Sequence, residues 1–83
     1  MNISYSVENR RREDYIGVNY LLMCMTALAG RCKKSEDEKW IYKKVAKIRE
    51  MVENLDAMEA VGCECNYLLL EFNDMELSEE EKT

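Results

Sequence analysis

Residues 35–55 read SEDEKWIYKKVAKIREMVENL, and this stretch decides the fold class. Ile41, Val45, Ile48, Val52 and Leu55 step by four, three, four and three, the seam of a helix that buries one stripe against a facing helix. Trp40, Met51 and Met58 widen that stripe. Ser35, Glu36, Asp37 and Glu38 have the order of a capping box, which predicts a helix start at Ser35. Gly62 is the expected close, giving a helix over about 35–61. A break near 54–56 is the alternative, because Asn54 tolerates a helix end and Asp56, Ala57, Met58, Glu59 resembles a second capping sequence.

Upstream, about Val7 to Ala29 is also helical in pattern, with Ile16, Tyr20, Met23 or Cys24, and Ala27 at spacings of three and four. Gly30 stands where a left-handed C-terminal cap is usual, giving a helix of about 7–30. The run Tyr20 to Met25 is apolar nearly all round, so this helix is expected at the centre of the core or under a second subunit, as in a homodimer. The short connection 31–34 makes the two helices antiparallel. Residues 2–7 alternate polar and apolar, which predicts a short extended lead-in.

Downstream, residues 63–77 form a C-terminal segment in which Leu68, Leu69, Phe72 and Met75 fit helical spacing, while Tyr67 and Leu69 alternate as in a strand. Helix is the preferred assignment. Glu76 to Thr83 is charged and poor in apolar residues, with 78–83 expected as an acidic tail that frays into solvent. The expected fold is therefore mainly α, one small helical domain built on an antiparallel helix pair with a short extended N-terminal segment.

At 83 residues, 47% hydrophobic and 35% charged, the chain is a single globular domain near the lower size for an independent core. A staple, a metal or a second subunit commonly adds stability at this size. The chain holds four cysteines and no histidine. It thus lacks the commonest general acid/base near neutral pH, and any metal would be held by thiolates.

Cys24, Cys32, Cys63 and Cys65 are the candidate ligands of a structural zinc ion, complete without another residue type. Their spacing departs from the usual zinc knuckle, since Cys63 and Cys65 are only one residue apart. An unbroken second helix about 39 Å long would carry Cys63 away from Cys24 and Cys32, whereas a break near 54–56 would return it by roughly 18 Å. A zinc-stapled cage therefore requires the break. The alternatives are buried free thiols, and disulfide or redox chemistry.

Charge is segregated along the chain. Residues 31–49 hold eight basic side chains against three acids, and residues 50–83 hold eleven acids against Lys82 alone, within an overall charge of −5. Segregated charge is either a solvated face or a docking surface for a complementary partner. Lys39, Lys43 and Lys47 form a basic stripe that would suit phosphate, but the acidic half would repel the same polyanion, so direct nucleic-acid binding is not favoured. The acidic half suits a lysine- and arginine-lined channel, such as that of a nucleic-acid enzyme. Glu71, Asp74 and Glu76 are its candidate partner-binding residues.

The longest apolar run, Tyr20 to Met25, is too short to cross a bilayer. Met1 to Val7 lacks the basic-then-apolar order of a secretory signal, and Asn2 argues against N-myristoylation, so the expected compartment is the cytosol. This compact acidic profile, with an end running through Glu71, Asp74, Glu76, Glu79, Glu80 and Glu81 and a cysteine-held metal as one reading, resembles the small phage-encoded anti-CRISPR proteins that act on type II RNA-guided nucleases. The resemblance is one of profile, with no shared motif from which a residue's role could be carried over. It implies a non-catalytic, stoichiometric inhibitor in the host cytosol that blocks DNA binding or cleavage. A small nucleic-acid-binding regulator using residues 31–49 and a zinc-bound structural adaptor are the competing readings.

Overall fold

The computed structural model describes residues 3–78, with side-chain surroundings from Tyr15 onward. Three helices follow one another: α1 (Ile3–Ala29), α2 (Ser35–Glu53) and α3 (Met58–Phe72). Helix α1 packs on α2, and α3 folds back along α2, so α2 is the central helix. The lead-in expected to be extended is helical from Ile3; Asn2 lies outside the described residues. Two-residue alternation over so short a span does not outweigh continuation of the adjoining helix, where each added residue gains a backbone hydrogen bond. No helix among the described residues is long and apolar enough to cross a membrane.

The seam of α2 buries Ile41, Val45 and Ile48, as its spacing predicts. They meet Leu22, Met25, Ala29 and Cys32 from α1 and its exit, and Val61, Cys65 and Leu68 from α3, in one continuous core. Helix α2 begins differently from the expected capping box. Lys34 is the N-cap, in extended conformation, and its carbonyl accepts from the Asp37 and Glu38 amides at 3.1 and 3.2 Å. Ser35 is already inside the helix, and no side-chain cap bond is made; Glu36, Asp37 and Glu38 in the first turn favour the helix dipole instead.

The break after Glu53 is real and is set by the backbone. Leu55 is left-handed, with φ of 57°, and its amide donates to the Val52 carbonyl at 3.0 Å while the Asp56 amide donates to the Met51 carbonyl at 3.0 Å. These two bonds make a Schellman C-cap with leucine where glycine is usual. The predicted stripe therefore ends at half-buried Val52, and Leu55 is 62% exposed.

Two glycines behave otherwise than expected. No described glycine has a positive φ, so Gly30 is not a left-handed cap; α1 leaves through tight turns, with Arg31 donating to Leu28 at 2.9 Å and Cys32 to Ala29 at 3.2 Å. Gly62 does not close a helix but lies inside α3. Val61, Cys65 and Leu68 are buried at spacings of four and three, and that burial outweighs the roughly 1 kcal/mol helix penalty of one glycine. The capping sequence read at 56–59 also shifts, since Ala57 is the N-cap and makes no side-chain cap bond.

Beyond α3 the chain does not fray at once. It turns through Asn73–Met75 and crosses the α1–α2 loop, where Cys32 and Leu77 form an isolated antiparallel bridge. The Lys33 amide donates to the Glu76 carbonyl at 3.0 Å, and the Ser78 amide to the Arg31 carbonyl at 2.8 Å. Phe72, Met75 and Leu77 pack on the core. Ser78, expected in the free tail, is held there; residues 79–83 lie outside the described part.

Candidate binding surfaces

The α2–α3 hairpin brings the basic and acidic halves of the chain side by side. Glu64 on α3 lies against two lysines of α2, 3.2 Å from Lys47 Nζ and 3.6 Å from Lys44 Nζ. The Lys47 hydrogen bond is the main reason its carboxyl titrates below the ordinary glutamate value, with the Lys44 and Lys47 charges reinforcing it against partial desolvation. Lys44 is held further by aromatic faces: its Nζ is 4.9 Å from the Tyr67 ring centre and 5.8 Å from that of Trp40. The two rings are tilted by 55° with centres 5.9 Å apart.

This aromatic and ionic cluster was not apparent from the sequence. Its only trace there is the i, i+4 spacing of Trp40 and Lys44 and the i, i+3 spacing of Glu64 and Tyr67, which match only once the helices are set antiparallel. Beside it, Trp40, Lys43, Lys44 and Lys47 line a hollow of about 400 Å³. Of its three lysines, Lys44 and Lys47 share the one Glu64 carboxylate, so the hollow's lining has excess positive charge and an aromatic wall in Trp40. A larger, more open hollow of about 490 Å³ lies at the start of α2, between Lys34, Ser35, Glu36 and Lys39.

Glu71, Asp74 and Glu76 are all exposed. Glu71 is on the last turn of α3, Asp74 in the turn that follows, and Glu76 on the strap whose backbone bonds Lys33. The candidate partner-binding acids thus sit on ordered chain at one end of the bundle, next to the basic loop Arg31, Lys33 and Lys34.

The four cysteines are dispersed. Cys32 is buried under the strap, Cys65 is buried in the α3 seam, Cys24 is half-buried on α1 and Cys63 faces solvent. All four are free thiols, and among the described residues no three cysteine or carboxylate groups converge on a point where one metal ion could be held. The break after Glu53 does return α3 along α2, as a shared cage requires. Helix rotation then separates the ligands, because consecutive odd positions lie about 200° apart and Cys63 points out where Cys65 points in. Burial, followed by the neighbouring Glu64 charge, raises the Cys65 thiol pKa, which opposes the thiolate form a metal needs.

Comparison with protein-family models, curated proteins and solved structures finds no match to this chain. The functional reading therefore rests on the molecule's own surfaces.

Proposed function

We propose that this protein is a non-catalytic binding protein that docks its acidic end on a basic surface of a nucleic-acid enzyme, of the kind an RNA-guided nuclease presents, and blocks that enzyme stoichiometrically. The supporting observation is the strap. Backbone hydrogen bonds with Arg31 and Lys33 hold residues 76–78, Glu71 stands on α3 and Asp74 in the turn after it, so the three acids form a fixed anionic surface rather than a loose tail. A preordered charged surface loses less conformational entropy on docking than a flexible one and speeds the encounter.

The test is titration of the chain against a guide-loaded type II RNA-guided nuclease, at about 50 and about 300 mM salt. Binding that slows in association when Glu71, Asp74 and Glu76 are all changed to Lys, and that weakens with salt, supports the reading. Failure to bind any such nuclease removes it.

The hollow lined by Trp40, Lys43, Lys44 and Lys47 favours a second reading, direct contact with nucleic acid through lysine–phosphate pairs and base stacking. It predicts affinity for free single-stranded DNA or RNA that falls steeply with salt and is lost in Lys43→Glu with Lys47→Glu. An enzyme-binding inhibitor ignores the free strand.

A further inference from the structure

Helix α1 carries a second apolar stripe that neither α2 nor α3 covers. Val18, Leu22, Met25 and Ala29 face the core, whereas Ile16, Tyr20, Met23 and Ala27 recur at spacings of four, three and four on the opposite side. Ile16 is 65% exposed, Tyr20 70% and Met23 65%. The whole stretch from Tyr15 to Gly30 contains no charged residue, in a chain that is 35% charged. A solvent-facing helix ordinarily places its charges there, and depletion of charge around large apolar side chains marks the centre of an interface.

We propose that this face is the contact surface for a second copy of the chain, with the two α1 helices antiparallel about a two-fold axis passing between Leu21 and Leu22. The four stripe positions are symmetric about that point, so an antiparallel mate presents the same seam in register. Ile16 then lies across Ala27 of the other copy and Tyr20 across its Met23, each pair setting a larger side chain against a smaller or more pliable one. The contact is isologous and closes on itself, leaving no free end to propagate.

Charge and area both favour a second copy. A molecule of net charge −5 repels its own kind, but residues 1–30 are neutral overall, so the approach through α1 keeps the charged faces of α2 and α3 outermost. The exposed parts of Ile16, Tyr20 and Met23 amount to roughly 450 Å² per copy, about 900 Å² for the pair, and their small neighbours bring the total near the roughly 1,200 Å² at which stable interfaces begin. The first twelve helical residues, 3–14, add length. The Tyr15–Asp56 hydrogen bond sets the α2–α3 turn level with Tyr15, so about 18 Å of α1 continues past the shorter helices and would run alongside the other copy's 31–34 loop. A contact at this low end of the interface size range is expected to be a reversible one.

Sedimentation equilibrium from about 1 to about 300 μM tests the proposal, which stands apart from the proposed inhibition. The expected result is a species of twice 9.8 kDa that dissociates on dilution. Tyr20→Glu with Met23→Glu is expected to weaken the dimer at least about a hundredfold while the helical circular dichroism is kept, and Ala27→Arg is a second variant with the same expectation. Leu70→Glu, which changes an exposed apolar residue of α3, is expected to leave the dimer intact. A monomer across the whole range overturns the proposal. So does a dimer that survives both α1 variants, or one that Leu70→Glu disrupts equally.

Discussion

The Tyr15 hydroxyl donates to the Asp56 backbone carbonyl at 2.9 Å, joining positions 41 residues apart. Tyr15 is buried, and the carbonyl it satisfies lies in the turn between α2 and α3, so one phenol ties α1 to the hinge of the hairpin. Tyr15→Phe keeps the ring and removes the donor. The expected cost is about 1 kcal/mol, seen as a fall of roughly 4–8 °C in thermal midpoint. A variant that melts with wild type would show that water replaces the bond.

Leu55 and Gly62 each occupy a position that the other's residue type would suit better. Leu55 has φ of 57° and is 62% exposed, so Leu55→Gly relieves the left-handed strain with little loss of burial. Gly62 sits inside α3 with nothing within 4 Å of where a Cβ would lie, so Gly62→Ala adds helix propensity without a clash. Each is expected to stabilise by about 0.5–1 kcal/mol, and the two to be nearly additive. Urea midpoints should rise with unchanged slope.

The Glu64 ion pairs give stability a pH dependence of definite sign. Lys47 and Lys44 depress the folded-state pKa of Glu64. Its contribution is thus full above the ordinary glutamate value and is lost as pH falls through the lower folded value. Glu64→Gln should flatten the acid limb of the stability profile, and raised salt should shrink the difference from wild type. Denaturant midpoints measured from neutral pH downward check it. A difference that grew on acidification would contradict the pairing.

Thiol reactivity should rank by burial. Cys63 is expected to react first with a disulfide reagent, Cys24 more slowly, and Cys32 and Cys65 only on unfolding. Leu77→Asp, which places a charge beneath the strap, should expose Cys32 and speed its reaction selectively. A four-thiolate zinc site would behave differently, protecting all four cysteines together and releasing about one zinc ion per chain on denaturation with the reagent. Metal analysis alongside the thiol titration separates the two outcomes.

Helical class, the α2 seam and the antiparallel first pair follow from the sequence because they depend on local periodicity and on a connection too short for any other path. The same periodicity places Ile41, Val45 and Ile48 in the core. On α1 it does not: Ile16, Tyr20, Met23 and Ala27, the stripe read from the spacing, lie on the exposed side, and Val18, Leu22, Met25 and Ala29 are the residues that face the core. The break near 54–56 was also legible, but its mechanism was not. Asn54 was the visible signal, whereas the residue that turns the chain is Leu55, whose side chain gives no sign of a left-handed backbone.

The candidate sites divide on the same physical ground. That Glu71, Asp74 and Glu76 are exposed follows from their charge, which is costly to bury. That Glu76 sits on fixed chain depends on strap bonds to Arg31 and Lys33, more than 40 residues away, which no local pattern encodes. The cysteines show the limit most directly: their number and spacing are in the sequence, but where their thiols point is set by helix rotation and packing register. The lysines of α2 and Glu64 of α3 belong to segments of opposite net charge, and only the fold makes them neighbours. The sequence by itself determined which residues could be buried and in what period; the tertiary structure decided which surfaces meet, because each meeting depends on the relative rotation of two helices, a quantity that neither helix's sequence specifies alone.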